Sequence, residues 1–345
     1  LIYLSLDFWP YWAHLLRIAF QSNMAGFWAY YVGIFLALAA ILLLPVACMG
    51  ATIPLAFHQL KRDLQHVGTH SGLLFSWNTL GNLTGSLVGG IVLYYLFDNA
   101  RVFLIAALLA ACSALLAGWY VSKKAIIIPL ITTVIVVVFL AGTPLYHREH
   151  FMLGTFFMRE PSSYSFEGAQ TFFTNFIGGK RLLFYKDDPI TSVGVIEWPH
   201  VQELDATPLS IMVNGKSDSN TVFDLYTLKM SAHLPALLSG SRKQAMVIGL
   251  GTGVTAAELS LYPDIERIDV AEISPAVIDA LPFFRDSTYH LHENPRVHIQ
   301  FGDAFRVLGR SDQQWDIIIS EPSNPWVTGV DMLFTQEFYR LIKEH

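Results

Sequence analysis

Between residues 27 and 145 the chain is almost free of charge, and no other feature constrains its fold as strongly. The stretch divides into four apolar runs. Residues 27–57 are apolar apart from Pro45 and Pro54 near the end, and residues 73–97 follow a short polar link. Residues 102–121 come after Asp98 and Asn99, and residues 125–145 after Lys123 and Lys124. Each run is near or above the ~20 residues that a helix needs to cross ~30 Å of hydrocarbon. Buried helices of a soluble protein are the competing reading, but four such runs in succession point to membrane spans. Residues 1–145 carry six Lys/Arg and three Asp/Glu, whereas residues 146–345 carry sixteen and twenty-five. A soluble domain has about 25% charged residues; this chain has 14%, and the deficit sits in its first half. That split excludes one uniform soluble fold, a disordered chain and a disulfide scaffold. The acidic second half would repel phosphates, so no nucleic acid is expected as a partner. Cys48 and Cys112 both lie in apolar runs and read as small hydrophobes.

Within the second run Gly81, Gly85 and Gly89 recur every four residues, a flat strip on which another helix can pack closely. Asn78 and Asn82 flank it; interhelical hydrogen bonding accounts for them better than a transport site does. Residues 1–25 lack the charged start and cleavage pattern of a signal peptide. With Trp9, Tyr11 and Trp12 near Arg17, they read as an interfacial piece or part of a further span, and the chain as a fragment at this end.

From Arg181 the texture changes. Residues 181–186, 192–198 and 209–213 are short β-branched and aromatic runs, broken by Asp-Asp-Pro and Asn-Gly, and predict strands and turns. Residues 224–238 predict a helix. Strands at 245–248, 267–271, 297–301 and 316–319 then alternate with helices. This pattern predicts a doubly wound parallel sheet, with ligands at the carboxyl ends of its strands.

Each of those ends carries a candidate residue. Gly249, Gly251 and Gly253 follow the first strand, where bare backbone can approach a ligand and a helix N-terminus favours negative charge. Val254 stands where a dinucleotide fingerprint has its third glycine. Glu272 ends the second strand and can accept both hydroxyls of a ribose; the alternative is a plain acid at a helix start. Asp303 ends the third, where it can accept from an adenine amino group; the alternative is a helix cap with Ala304 behind it. Together these bind an adenosine without a diphosphate, which favours a sulfonium nucleoside over NAD. Glu321 ends the fourth strand and can deprotonate an attacking amine, unless its role is structural. His290 and His292 lack a second ligand pair at metal spacing, so no metal is assigned.

The run Val247-Ile-Gly-Leu-Gly-Thr-Gly-Val-Thr255, with Val270-Ala-Glu-Ile-Ser-Pro-Ala-Val277, Gly302-Asp-Ala-Phe305 and Asp316-Ile-Ile-Ile-Ser-Glu-Pro-Ser-Asn-Pro-Trp326, resembles the spermidine synthase family. More narrowly, it looks like the membrane-fused, spermidine-synthase-like proteins of bacteria. Tyr185-Lys-Asp-Asp-Pro-Ile-Thr-Ser192, Val213-Asn-Gly-Lys216 and His233-Leu-Pro235 resemble that group's small β-stranded domain. Met49-Gly-Ala-Thr-Ile-Pro54 and Asn78-Thr-Leu-Gly81 resemble its membrane part. The resemblance implies transfer of an aminopropyl group from decarboxylated S-adenosylmethionine to an amine, releasing methylthioadenosine, with no metal. Gly249, Gly251 and Gly253 match the family's glycine loop, Glu272 its ribose acid and Asp303, with Ala304, its adenine site. The family's general-base aspartate aligns with Glu321, its amine-gripping aspartate with Asn324, and the aspartate inside its glycine loop with Thr252. The family's tyrosine is kept as Tyr226, while the histidine after it aligns with Thr227. Two carboxylates that would hold a diamine's ammonium groups are thus neutral here, which counts against putrescine as the acceptor.

The expected architecture is an α-helical transmembrane domain over residues 1–145, of about four spans, followed by α/β structure. A linker and β-stranded domain occupy 146–240. A Rossmann-like nucleoside-binding catalytic domain, cut short at its C-terminal end, occupies 241–345. Expected partners are a small amine and the lipid bilayer, with a homo-oligomer left open. Lys61, Arg62, Lys123 and Lys124 fall on one side of the bilayer if all four runs span, and by the positive-inside rule would leave residues 146–345 outside. A cytosolic donor demands the reverse, and the reading adopted is a multi-pass protein of the bacterial inner membrane with a cytoplasmic catalytic domain. Two other functions fit the motifs: a methyltransferase using ordinary S-adenosylmethionine, and a non-catalytic membrane transporter or sensor that binds methylthioadenosine.

Overall fold

The computed structural model describes residues 2–60, 67–121, 123–142, 146–327 and 329–345. Two compact units emerge: Leu1–His150 with Thr155–Phe173, and Phe151–Gly154 with Thr174–His345. The first therefore reaches beyond residue 145, and the stretches 174–240 and 241–345 share the second.

The first unit is helical: α1 (Ile2–Ser5), α2 (Trp9–Ile18), α3 (Met24–Leu60), α4 (Val67–Gly90), α5 (Asn99–Val121) and α6 (Ile127–Ala141). Two stretches, Met24–His58 and Asn99–Trp119, are long and apolar enough to cross a membrane, with mean hydropathies of 2.7 and 2.3. Ile127–Ala141 is as apolar but shorter. The run expected at 73–97 differs from its reading. Its helix, α4, starts at Val67 and stops at Gly90, before the 3-10 turn Val92–Tyr95. Gly, Ser, Thr, Asn and His make up 15 of its 24 residues, which keeps its hydropathy low. Ala100, Leu104 and Ala111 of α5 are buried, as is Val136 of α6, which packs on α5. Elsewhere these helices display large apolar side chains, Phe35, Leu44, Trp119 and Ile128 among them, each more than two-thirds exposed. Lys61 and Arg62, used above for orientation, lie outside the described residues, as do the side chains of Lys123 and Lys124.

Within the first unit, α2 is tied to residues 155–173. Tyr11 donates to the Ser165 carbonyl at 3.0 Å, His14 Nε2 lies 2.9 Å from Ser165 Oγ, and Thr155 donates to the Pro10 carbonyl at 3.0 Å. The short helices α7 (Arg148–Met152) and α8 (Ala169–Ile177) follow α6 in the chain.

In the second unit, β1 (Arg181–Asp187), β2 (Ser192–Glu197), β3 (Leu209–Val213) and β4 (Lys216–Asn220) form an antiparallel meander. Asn214 and Gly215, at φ +50° and +77°, make the two-residue turn between β3 and β4. α9 (Leu225–Leu238) leads into alternating strands and helices: β5 (Gln244–Ile248), α10 (Val254–Ser260), β6 (Arg267–Glu272), α11 (Pro275–Ala280), β7 (Val297–Phe301), α12 (Ala304–Gly309) and β8 (Ile317–Ser320), closed by α13 (Gln336–Glu344). The parallel sheet has the order β7-β6-β5-β8. β5 is buried on both faces, as a central parallel strand must be. Ala245 and Val247 join a core with Val193, Val195 and Ile211 of the meander, whereas Met246 and Ile248 face Leu308, Trp315 and Phe338. The strand order reverses between β5 and β8, and open α/β sheets bind ligands outside the carboxyl ends at such a reversal.

Candidate nucleoside and amine site

The glycine loop between β5 and α10 turns through left-handed backbone at all three glycines. Two of them have no room for a side chain. A Cβ on Gly249 would sit 3.0 Å from the Glu321 carbonyl, and one on Gly253 would sit 2.7 Å from Leu281 Cδ1. Gly249 thus brings the loop against the end of β8. Thr252, in the loop, is buried with its hydroxyl 2.9 Å from Ser219 Oγ of β4.

Glu272, buried at the end of β6, accepts from the backbone N–H of Leu250 at 2.9 Å and of Ser274 at 2.8 Å. Burial pushes its pKa up, against the pull of those N–H groups. A carboxylate offers about four acceptor positions, so each oxygen keeps capacity for a ligand hydroxyl. Asp303 does serve as the cap of α12, accepting from Phe305 N–H at 2.8 Å, with Ala304 buried behind it. The cap and the adenine contact are compatible, because the cap uses one oxygen only.

Glu321 follows β8, its backbone N–H bonded to the Ile248 carbonyl at 3.0 Å. Thr255 of α10 donates to its Oε2 at 2.8 Å, and Ser231 of α9 hydrogen-bonds to it as well. Burial raises its pKa, with those two hydroxyls opposing the shift. A carboxylate held in this way is a stronger base than a solvated one, with both hydroxyls fixing its orientation. With strands ~4.8 Å apart, the end of β8 stands about 10 Å from that of β6 and roughly 14 Å from that of β7.

The remaining candidates are less closely gathered. Tyr226, on the first turn of α9, is 83% exposed. With Thr227, Met230, Ser231, Leu234 and Pro235 it lines a wide-open surface depression along α9, which reaches Glu321 through Ser231. Asn324 is half-buried in the turn after β8, where its carbonyl accepts from Val327 N–H at 3.0 Å. Three contributors were missed from sequence. Ser231 lies four residues after Thr227, on the same helical face, a spacing that could have revealed it. Thr255 follows the glycine loop. Asp218 of β4 accepts from Lys216 at 2.8 Å and from Ser323 at 2.9 Å, and its charge contributes to the rise at Glu272.

Residues 225–345 match the family described as the spermine/spermidine synthase domain. A polyamine aminopropyltransferase of Alkaliphilus oremlandii is 36% identical over 110 residues, covering 32% of this chain and 38% of the relative. One from Streptococcus pneumoniae serotype 4 is 31% identical over 158 residues, covering 44% and 54%. The chain thus spans about half or less of the length of these relatives. A spermidine synthase solved in complex with the transition-state analogue AdoDATO superposes on 48% of this chain and 54% of its own, with 22% identity and a TM-score of 0.43.

Proposed function

We propose that this chain, whose residues 225–345 belong to the spermine/spermidine synthase family, is a membrane-anchored aminopropyltransferase. The observation that carries the reading is the placement of Glu321, half-buried and hydroxyl-bound at the end of β8, across the strand reversal from Glu272 and Asp303. Decarboxylated S-adenosylmethionine lies along the crevice, its ribose on Glu272, its adenine at Asp303 and Ala304, and its aminopropyl arm toward Glu321. The glycine loop of Gly249, Gly251, Thr252 and Gly253 leaves the backbone close to it. The amine's lone pair attacks the aminopropyl carbon bonded to sulfur. The C–S bond breaks, its electrons neutralise the sulfonium, and methylthioadenosine leaves. The proton shed by the new ammonium passes to Glu321. Tyr226 and the depression along α9 receive the apolar part of the acceptor, with Asn324 at the far side of the base.

Calorimetry with methylthioadenosine tests the donor half. Asp303→Ala and Glu272→Ala are each expected to weaken binding by about 1–3 kcal/mol, the usual loss for a buried hydrogen bond with a charged partner. Binding unchanged in both variants would exclude the nucleoside reading.

Membrane anchoring is supported by the exposed apolar faces of α3, α5 and α6, since soluble monomers rarely expose apolar patches beyond a few hundred Å². The donor chemistry places the catalytic part in the cytoplasm. The chain is expected to stay with the membrane pellet after alkaline carbonate extraction, because helices seated in hydrocarbon have no charge that pH can alter. Release to the supernatant would identify the apolar faces as contacts with other protein.

A further inference from the structure

Three side chains of the first unit, unused by the nucleoside reading, converge on one point. Asp7 lies in the 3-10 turn Leu6–Phe8. His147 and His150 stand three residues apart at the start of α7. His147 Nδ1 is 3.2 Å from Asp7 Oδ2, and His150 Nδ1 is 2.9 Å from Asp7 Oδ1. One ligand atom from each of the three lies within 4.8 Å of the others. The backbone N–H of His147 donates to Asp7 Oδ1 at 2.7 Å and so holds the carboxylate in place. The His150 ring lies flat on Phe173, centroids 3.5 Å apart and planes within 4°, which fixes its orientation. Its side chain is only 9% exposed. Its Nδ1 faces the Asp7 carboxylate.

We infer that Asp7, His147 and His150 form a binding site for a divalent transition-metal ion of the Zn²⁺ class. Tetrahedral coordination at ~2.0–2.1 Å sets ligand atoms about 3.4 Å apart. Measured to one shared atom, Asp7 Oδ1, the Nδ1 atoms lie 3.3 Å (His147) and 2.9 Å (His150) away, and the exposed His147 ring has room to adjust. Two imidazoles with one carboxylate suit Zn²⁺ and its neighbours, whereas Mg²⁺ and Ca²⁺ prefer all-oxygen sets. Three protein ligands leave a fourth position for water or another exchangeable group. The competing account is a simple Asp–His tie between the start of the chain and α7. A tie of that kind needs only one histidine, whereas here two imidazole nitrogens face the same carboxylate. His147-x-x-His150 becomes a ligand set only with Asp7, 140 residues away.

The full chain in detergent, stripped by a chelator and titrated with Zn²⁺ alone, is expected to bind one ion at this site. His147→Ala, His150→Ala and Asp7→Asn should each weaken that binding by at least about 10–100-fold, the loss that even an outer partner of a metal ligand causes. His147 is 68% exposed, so its variant should fold like wild type, checked by thermal unfolding without metal. The exposed pair His290 and His292 serves as the control, and His290→Ala with His292→Ala should leave the tight site intact. Co²⁺ in place of Zn²⁺ should give visible absorption that disappears in His147→Ala. Zn²⁺ affinity unchanged in both His147→Ala and Asp7→Asn, or lost only with the His290/His292 pair, would overturn the site.

Discussion

Glu321→Gln is expected to lower the turnover of aminopropyl transfer by about 10²–10⁴-fold, the range over which a general base contributes. The amide keeps the shape of the side chain and can still accept from Thr255 and Ser231, but it takes no proton at neutral pH. Methylthioadenosine affinity should therefore stay near that of wild type, which separates loss of the base from loss of the crevice. The pH profile gives an independent check. Glu321 acts as a base only when ionised, and burial holds its pKa above the ordinary carboxylate value of 4.5. The acid limb of kcat should accordingly lie above that value and be absent in the variant. Thr255 and Ser231 both favour the charged form. Thr255→Val or Ser231→Ala should raise the pKa further and move the limb to higher pH, so the loss of rate is largest in acid and recovers as pH rises. Undiminished turnover in Glu321→Gln would assign the proton to another group.

The parallel sheet was legible because each of its strands is a short apolar run ended by glycine or a carboxylate, and that boundary is where the chemistry sits. β7 matches its expected residues, β5 and β6 differ from theirs by one residue at an end, and β8 is shifted by one residue. β4 was missed for a physical reason. Lys-Ser-Asp-Ser-Asn has no apolar residue to mark it, and its strand character comes from pairing with β3 after the Asn214-Gly215 turn. Asp218 was lost with it. The i, i+4 spacing from Thr227 could have pointed to Ser231, but that Ser231 and Thr255 both reach Glu321 depends on packing that no local pattern encodes. The run at 73–97 differs in extent: its helix starts at Val67 and stops at Gly90, with Gly81, Gly85 and Gly89 all inside it. The contact of Asp7 with His147 and His150 has no trace in local sequence, since it joins segments at opposite ends of the first unit.

The acceptor is where this chain departs most from the family it resembles, and restoring the missing charges should change what it accepts. A diamine brings two ammonium groups into the site. Glu321 can face the attacking nitrogen, but the positions that would hold the charges are the neutral Asn324 and Thr252. Asp218 does not replace them, being already engaged by Lys216 and Ser323. Wild type is therefore expected to be nearly inert toward putrescine. Truncating one partner of a buried, hydrogen-bonded charge pair costs about 2–5 kcal/mol, so restoring one should gain at least about 2 kcal/mol, or roughly 30-fold in kcat/KM. Asn324→Asp together with Thr252→Asp is expected to bring putrescine turnover into the measurable range. Thr252 is buried against Ser219, so an aspartate there has a hydroxyl to accept from but must also be desolvated. Asn324→Asp alone, at a half-buried turn position, avoids that penalty and should give part of the gain. Unchanged methylthioadenosine binding would show that the glycine loop has kept its shape. If wild type already used putrescine efficiently, the diamine would be held by groups other than these two positions. If neither variant gained activity while donor binding stayed intact, neutrality at 252 and 324 would not be what sets the acceptor.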